Sequence, residues 1–391
     1  MAELSKDFAA AAPGVTIEFL LFFFEGFERA STDQKTMCLH YMAPWLSNLV
    51  MFTHAGRDQQ QEYQKRIKEI LSRLIAITVQ EPNMYAIMQQ IAWSQFSTLD
   101  DLIPLLLDVF SEAAMDSGVH TERFERVLDT MVPFSSINLR GKVLAKLRRV
   151  IAKTAQNPTV AQLHENLAWK EIVTLVRMNM ALSFSNQLDS LLYLPELLHV
   201  ILLLSGNGET ATRYILHGTA VNLVHSLCTE DAARGMHGQA GHKGSASDTE
   251  SNSDPVATSS KLLRELLSKL SSDEYLALFG LPPGGADGIS ASPFDASPMM
   301  VRESPSNQAI ATLASALYEI AEIAAPTTDT ANAWRARLTS LVTSTAFQYN
   351  PIIQSRAFIL LGCLADLTGS MLEHQAPRSA GKTDSPAEGH A

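Results

Sequence analysis

The sequence predicts an all-α protein, a HEAT-like or armadillo-like α-solenoid of stacked helix pairs with two disordered insertions. Apolar residues recur at the i, i+3, i+4 spacing of a helix through most of the 391 residues. No run of alternating apolar and polar residues bounded by hairpin turns indicates a β-strand. Helix pairs recur at a period of roughly 40 residues, as in HEAT and armadillo repeats. Roughly six pairs are expected, and they must stack because no single pair carries enough apolar surface to close a core.

The first helices follow from their apolar pattern and from the residues that flank them. An apolar helix is predicted at 17–27, the Thr32-Asp33 step is expected to cap the next helix, and Pro44 is expected to kink or restart that helix. The pattern is most regular at 63–79, where apolar residues repeat at helical spacing, and Pro82 is expected to end this helix. Further helices are predicted at 84–96, 99–114, 121–132, 138–154, 159–184, 188–204 and 210–228.

Two stretches of low apolar content interrupt the helices. Residues 231–260 are rich in Gly, His, Ser, Asp and Thr, and residues 282–306 contain Gly-Gly and several Ser-Pro steps, so both are predicted to be disordered. Between them, leucines at helical spacing predict a helix that pairs with the helix ending at Cys228. The predicted organisation is helical repeats at 15–230, a disordered insertion at 231–260, a helix at 261–281, a disordered loop at 282–306, helical repeats at 307–368 and a disordered tail at 369–391.

The stretch 345–365 contains one complete helix-turn-helix unit. The first residues of this stretch end one apolar helix. The Asn350-Pro351 step then forms a turn that also begins the next helix, in which apolar residues repeat at helical spacing. Arg356 lies inside this second helix. Its stem is expected to lie along the neighbouring layer, and its guanidinium is expected to reach a carbonyl or carboxylate at the edge.

Composition excludes several classes of protein. Lys and Arg total 30 against 41 Asp and Glu, a net charge of −11, which argues against a general binder of nucleic acid or anionic membranes. Cys38, Cys228 and Cys363 lie far apart and form neither a metal-spaced pair nor a disulfide framework, which favours a reducing cytosolic or nuclear setting. A cytoplasmic location is expected. The most apolar runs, 19–24 and 191–204, are too short to span a bilayer, so membrane association is expected to be peripheral at most.

Motifs for catalysis, metals and cofactors are not found in the sequence, so no catalytic residue, metal site or cofactor is expected. Gly381-Lys382-Thr383 has the ending of a phosphate-binding loop but neither its first glycine nor a preceding strand. His217 and His225 lie on one predicted helix, about 80° apart around its axis. That angle disfavours their binding one ion.

The predicted helix at 138–154 carries four basic residues spaced four, three and four apart: Lys142, Lys146, Arg149 and Lys153. This spacing places them on one helix face, which we call the basic stripe. An acidic protein partner, a second copy of the chain or lipid head groups are candidate ligands, and a merely solvated face is the alternative.

Four serines in the predicted disordered segments are candidate phosphorylation sites. Ser292, Ser297 and Ser304 each precede proline, and Ser247 is followed by acidic residues. Phosphate at these positions would add negative charge able to dock on an arginine cluster. The alternative is that any linker rich in Ser and Pro contains such patterns by chance.

Three strings together resemble one family in this order along the chain. They are residues 38–50 (CLHYMAPWLSNLV), residues 216–229 (LHGTAVNLVHSLCT) and the 347–351 turn (FQYNP). The chain is similar to the helical-repeat region of neurofibromin and the fungal Ira-type Ras GTPase-activating proteins, from about residue 19 to 364 with two gaps. The resemblance implies a segment located C-terminal to the catalytic domain of a negative regulator of Ras signalling.

The resemblance also sets the functional expectation. The family's catalysis depends on an arginine finger in a dedicated helical domain, and its signature is absent from this sequence, so Arg356 is not expected to be a finger. A non-catalytic scaffold that binds proteins or self-associates, for example as a homodimer through its repeats, is therefore expected, with Ras contacted only through a catalytic domain elsewhere. A stand-alone solenoid that acts as adaptor or carrier remains an alternative, and a catalytic GTPase activator is the disfavoured one.

Overall fold

The computed structural model confirms the predicted all-α fold. It describes residues 2–27, 29–54, 56–119, 121–134, 137–156, 158–183, 191–239, 255–283 and 305–375, and none of these residues forms a strand. The α-helices of this part of the chain are α1 (Ala2–Ala11), α2 (Thr16–Phe27), α3 (Thr32–Leu46), α4 (Arg57–Gln80), α5 (Tyr85–Ile91), α6 (Ile103–Ser117), α7 (Glu122–Met131), α8 (Ile137–Lys153), α9 (Trp169–Ser183), α10 (Leu194–Leu204), α11 (Thr210–Gln239), α12 (Pro255–Leu270), α13 (Asp273–Leu278), α14 (Asn307–Ala324), α15 (Thr328–Gln348) and α16 (Pro351–Gln375).

The helices pack in two rows that follow the order of the chain. One row runs α2, α4, α7, α9, α11, α14 and α16, and each of these helices contacts the next. The other row contains α6, α8, α10 and α15, again in contact one after another. Apolar side chains between the rows form one continuous core from α1 to α16. This arrangement confirms the helical-repeat solenoid that the sequence predicts.

Helix α10 is the central helix of the stack. Every residue from Leu194 to Leu204 except Glu196 is buried, and α10 contacts α8, α11, α14, α15 and α16. A helix that is apolar on all sides is stable only inside a core, so the most apolar run of the sequence marks this position. The helix begins later than predicted, with Pro195 in its first turn, where the missing N–H of proline costs nothing.

The start of the chain folds back onto α3. The indole Nε1 of Trp45 donates to Ser5 Oγ at 3.0 Å, and Ser5 Oγ donates to Tyr41 O at 2.7 Å. Helix α3 continues through Pro44 to Leu46, and a 3₁₀ helix then runs from Ser47 to His54. The predicted restart at Pro44 therefore does not occur.

The cap of α3 lies one residue earlier than predicted. Ser31 is the N-cap residue, and its side chain and that of Gln34 form reciprocal hydrogen bonds with each other's backbone N–H groups. This capping box satisfies two N–H groups of the first turn, so Thr32 is the first helical residue.

The helix predicted at 159–184 is wrong in its first half. Only α9, from Trp169 to Ser183, is helical, preceded by a short 3₁₀ turn. Asn166 is responsible, because its Oδ1 accepts from Ala168 N at 3.0 Å and its Nδ2 donates to Thr154 O at 3.2 Å. A buried asparagine bonded in this way to the backbone holds a turn instead of a helix.

The predicted pairing across the first insertion is present, although the helix bounds differ. The imidazole Nε2 of His217 on α11 contacts Leu270 O of α12 at 2.8 Å, and the two helices pack along each other. Helix α11 extends to Gln239 and α12 begins at Pro255, so both reach into the segment predicted to be disordered. The predicted helix at 261–281 is two helices, because Ser272 caps α13. Helix α16 similarly extends to Gln375, inside the predicted tail.

None of the described helices is by itself long and apolar enough to cross a membrane. Two neighbouring helical segments, Ala2–Ala11 and Pro13–Phe27, meet that test only when taken together, and they meet at an angle of 100°.

Candidate interaction surface

The guanidinium of Arg356 reaches backbone carbonyls, as the sequence predicts. It is buried, and its Nη1 donates to Ser205 O at 2.7 Å and to Leu202 O at 3.4 Å, both at the carboxyl end of α10. Burial lowers the pKa of Arg356 to about 10, so the guanidinium remains charged at neutral pH. A cation at this end of a helix satisfies carbonyls that have no partner within the helix.

A second buried arginine, which sequence reasoning missed, holds the other end of the connection between α10 and α11. Arg213 Nε donates to Gly208 O at 3.0 Å and its Nη1 donates to Gly280 O at 3.1 Å. Gly208 has a φ of +74°, and a Cβ there would lie 2.3 Å from the Trp169 ring, so both the backbone conformation and the available space require glycine. The connection is thus buried, with arginines satisfying its carbonyls.

The hairpin of α15 and α16 presents an exposed surface with few charges. Phe347 is 71% exposed and Phe358 is 56% exposed, and their rings meet edge to face with centroids 6.4 Å apart. Asn350 forms the turn between the helices, since its Oδ1 accepts from Ile352 N at 2.9 Å. We call this surface the end face and define it by the exposed residues Ala336, Ser340, Thr343, Phe347, Ser355, Phe358, Gly362 and Ala365.

The residues of the end face follow one stripe on each helix. In α16 they are spaced three or four apart over three turns, which is the spacing that a second helix contacts. None of the eight residues is charged, in a protein whose residues are 18% charged. Gly362 adds a cost of about 1 kcal/mol relative to Ala in the middle of a helix. A Cβ at Gly362 would meet nothing within 4 Å, so packing inside the chain does not require this glycine.

The structure divides the basic stripe of α8. Lys146 Nζ lies 2.9 Å from Asp108 Oδ1 of α6, and Lys153 Nζ lies 3.2 Å from Glu171 Oε2 of α9. Lys142 and Arg149 are exposed, and no described carboxylate pairs with either. Two members of the stripe therefore pair with neighbouring helices, and the other two are exposed.

Asp108 joins three helices of the stack. Its second carboxylate oxygen lies 2.9 Å from Lys68 Nζ of α4, so α4, α6 and α8 meet at one carboxylate. Burial alone would raise the pKa of Asp108, but hydrogen bonds from Lys146 and Lys68 and their charges outweigh burial and hold it below its usual value. The spacings of 40 and 38 residues between these three positions are close to one repeat.

The other candidate residues do not form a site in this part of the chain. Ser247, Ser292, Ser297 and Ser304 lie outside the described residues. His217 is engaged with Leu270 O and packs edge to face on Phe279, and among the described residues no group of three or more His, Cys, Asp or Glu could hold a metal ion.

These features define an α-helical repeat protein with an uncharged, partly aromatic end face. Two proteins of Saccharomyces cerevisiae are similar to it: Inhibitory regulator protein IRA1, 23% identical over 248 residues, and Inhibitory regulator protein IRA2, 25% identical over 240 residues. Each match covers 59% of this chain but only 8% and 7% of the respective relative, so the chain spans less than a tenth of the length of the curated relatives that it matches. No protein-family model matches the chain. The two matches confirm the expected relationship to the neurofibromin and Ira-type regulators.

Proposed function

We propose that this chain is a non-catalytic helical-repeat scaffold of an Ira-type negative regulator of Ras, and that it acts by associating with other protein chains, including a second copy of itself. The end face is the observation that carries this proposal. The α15–α16 hairpin exposes Phe347 and Phe358 among small uncharged residues, and an exposed aromatic patch of this kind is typical of a surface that contacts another protein.

Three buried arginines are unsuited to act as an arginine finger. An arginine finger must place its guanidinium in the active site of the GTPase, so it cannot be bound to its own chain. Arg177, Arg213 and Arg356 are buried, and each donates to a backbone carbonyl of this chain, Arg177 also to the Glu125 carboxylate. These arginines stabilise the fold.

A GTP hydrolysis assay tests the absence of catalysis. The purified chain is added in excess to Ras loaded with GTP, with a catalytic Ras GTPase activator as positive control. We expect the hydrolysis rate of Ras to be unchanged. Stimulation that disappears in a variant of an exposed arginine, such as Arg149→Ala, would contradict the proposal.

Sedimentation velocity over a wide concentration range tests self-association through the end face. We expect the unaltered chain to associate as its concentration rises and the Phe347→Ser/Phe358→Ser variant to remain monomeric. Phe22→Ser is the matched control, because Phe22 is 76% exposed on α2, far along the chain from the end face. A wild-type chain that is monomeric throughout, or a control that dissociates equally, would contradict self-association at this face.

The remaining half of the basic stripe is a second candidate surface. Lys142 and Arg149 lie seven residues apart, which is about 10.5 Å along the axis of α8. An acidic partner able to reach both would bind in a salt-dependent way. A glutamate-rich peptide that binds the unaltered chain and the Lys142→Glu/Arg149→Glu variant equally would exclude this surface.

A further inference from the structure

Three polar side chains converge on the sulfur of Met180 where α9 packs against α11. Thr219 Oγ1 lies 3.4 Å from Sδ, Asn222 Nδ2 lies 3.7 Å from it, and Ser183 Oγ lies 3.8 Å from it. Thr219 and Ser183 are buried. A thioether sulfur is a weak hydrogen-bond acceptor, so these three groups offer more hydrogen-bonding capacity than the sulfur can use.

The polar groups around the sulfur also make local hydrogen bonds, which they can exchange for a stronger acceptor. The hydroxyl of Thr219 donates to Ile215 O at 2.8 Å, and that of Ser183 donates to Met180 O at 2.6 Å. Both are local bonds to carbonyls within the same helix. Asn222 carries two N–H donors, and one of them reaches Ser183 Oγ at 3.2 Å. A strong acceptor placed at the sulfur would therefore find one amide N–H directly and two hydroxyls able to rotate toward it.

The side chain of Met180 is partly exposed, and its methyl packs against α11. Met180 is half-buried, and its terminal methyl lies over Gly218 of α11, where a Cβ would be only 2.9 Å from the methionine Cε. The methyl is thus fixed against the helix backbone, and the sulfur is directed to the polar groups.

We propose that Met180 is a site of reversible oxidation to methionine sulfoxide by a hydroperoxide, and that Asn222, Thr219 and Ser183 bind the sulfoxide oxygen. A sulfur lone pair attacks the peroxide oxygen, an S–O bond forms and the O–O bond breaks. The proton of the attacked oxygen passes to the departing hydroxide, so that hydrogen peroxide yields water. Sulfur loses two electrons and the peroxide gains them. The sulfoxide is polar, and it disrupts a helix contact unless donors are already in place.

Two other kinds of methionine in the chain serve as references. Met178 lies two residues away on α9 and is fully buried, and among the described side chains Ser111 Oγ alone donates to its sulfur, at 3.8 Å. Met37 and Met51 are 52% and 47% exposed, and no described side chain donates to their sulfurs. Exposure alone predicts oxidation of the exposed pair, and the proposal adds that oxidised Met180 is tolerated inside a helix contact.

The experiment uses the full chain with Met37→Leu and Met51→Leu, which removes the two methionines that are exposed among the described side chains. It is treated with increasing hydrogen peroxide, oxidation is located by peptide mass spectrometry, and the Tm is measured at each dose. We expect Met180 to be oxidised before Met178, with the Tm changing by less than about 2 °C. Methionine sulfoxide reductase with dithiothreitol should return Met180 to the thioether.

Two comparisons isolate the role of the donors. Oxidation of Met180 should lower the Tm more in an Asn222→Leu background than in the parent, and Thr219→Val provides the same comparison should Asn222→Leu not fold. Met180→Gln places an amide oxygen near the three donors, so its Tm should remain close to that of the parent, whereas Met178→Gln should lower it. The proposal is overturned if Met180 stays reduced until the chain unfolds, or if its oxidation lowers the Tm equally with and without the donors.

Discussion

Arg356 acts as a cap for α10 although 151 residues separate it from Ser205. The local side chains bond to other carbonyls of α10, since Ser205 Oγ donates to Ile201 O at 2.5 Å and Asn207 Nδ2 donates to Leu204 O at 3.3 Å. The arginine is stable in the core because its charge meets carbonyl oxygens at the negative end of a helix. A charge so placed is costly to remove, since the carbonyls that it leaves belong to the fully buried Leu202 and Ser205.

Arg356→Leu should therefore lower the free energy of unfolding by about 3 kcal/mol, from unsatisfied buried carbonyls and the lost charge-assisted hydrogen bond. Urea unfolding followed by circular dichroism measures this change. Arg149→Leu is the control, because Arg149 is exposed and its replacement should change stability by no more than about 0.5 kcal/mol. Equal effects of the two substitutions would show that the cap contributes nothing to the fold.

His199 is the buried residue whose charge state matters most for the effect of pH. Its Nε2 lies 3.0 Å from Thr345 Oγ1, and that hydroxyl donates its proton to Leu341 O at 2.8 Å. Nε2 therefore carries the hydrogen, and Nδ1 is buried without a described partner. Burial, with a smaller contribution from the Arg148 charge, lowers the pKa of His199 to about 3.

Because the unfolded chain binds a proton at His199 below about pH 6.5 and the folded chain does not, stability should fall as the pH falls from there toward 3. The slope from this group reaches about 1.4 kcal/mol per pH unit. Urea unfolding of the wild type and of His199→Gln between about pH 6.5 and 4.5 measures it. The free energy of unfolding of the variant should fall less steeply as the pH is lowered. His217 has its pKa lowered by burial in both proteins, so it cancels in the comparison. Parallel curves would contradict the assignment.

At the scale of the helices, the sequence predicts what local pattern and local caps determine. Helix α14 begins where the repeats predicted at 307–368 begin, since Ser306 caps its first turn. The first half of the 159–184 helix fails because the side chain of Asn166 bonds to a backbone carbonyl 12 residues earlier. The role of Arg213 was not predictable either, since its partner Gly280 lies 67 residues away. Arg356 was predictable only as a residue that reaches an edge, not as the cap of α10.

The basic stripe shows the same limit. Helical spacing predicts one face of α8 for Lys142, Lys146, Arg149 and Lys153, but spacing does not say which of them meets a carboxylate of a neighbouring helix. Asp108 of α6 and Glu171 of α9 decide this, since they pair with Lys146 and Lys153 and leave Lys142 and Arg149 exposed.

Gly362 in the middle of α16 should reduce the stability of the monomer. Gly362→Ala should raise the free energy of unfolding of the monomer by about 0.5–1 kcal/mol, because alanine favours the helix and the new Cβ meets nothing. The matched control is Gly218→Ala in α11, which should not stabilise, since its Cβ would lie 2.9 Å from Met180 Cε. Urea unfolding at a concentration where the chain is monomeric measures both. No gain at Gly362 would mean that this glycine is already required within the chain.

At the scale of the whole molecule, α10 departs from a simple linear stack. In a regular solenoid each repeat contacts only its neighbours, and stability is close to a sum of local terms. Helix α10 instead contacts helices on both sides of the insertion, from α8 to α16, and Arg356, Thr345 and Glu196 each make a polar contact between α10 and α15 or α16. The sequence predicts stacking but not this hub, because the contacts join residues more than 140 positions apart.

A substitution in α10 should therefore affect the helices before the insertion and those after it. Leu198→Ala, at a fully buried position of α10, should lower the free energy of unfolding by about 2–5 kcal/mol through loss of apolar contacts and the cavity that remains. Amide hydrogen exchange should then show faster exchange in both α8 and α15, since both pack on α10. Leu74→Ala in α4 is the control of equal chemistry and burial, and its effect should be confined to α2, α6, α7 and their neighbours. If Leu198→Ala left exchange in α15 unchanged, the two ends of the molecule would be independent, and α10 would be an ordinary member of its row.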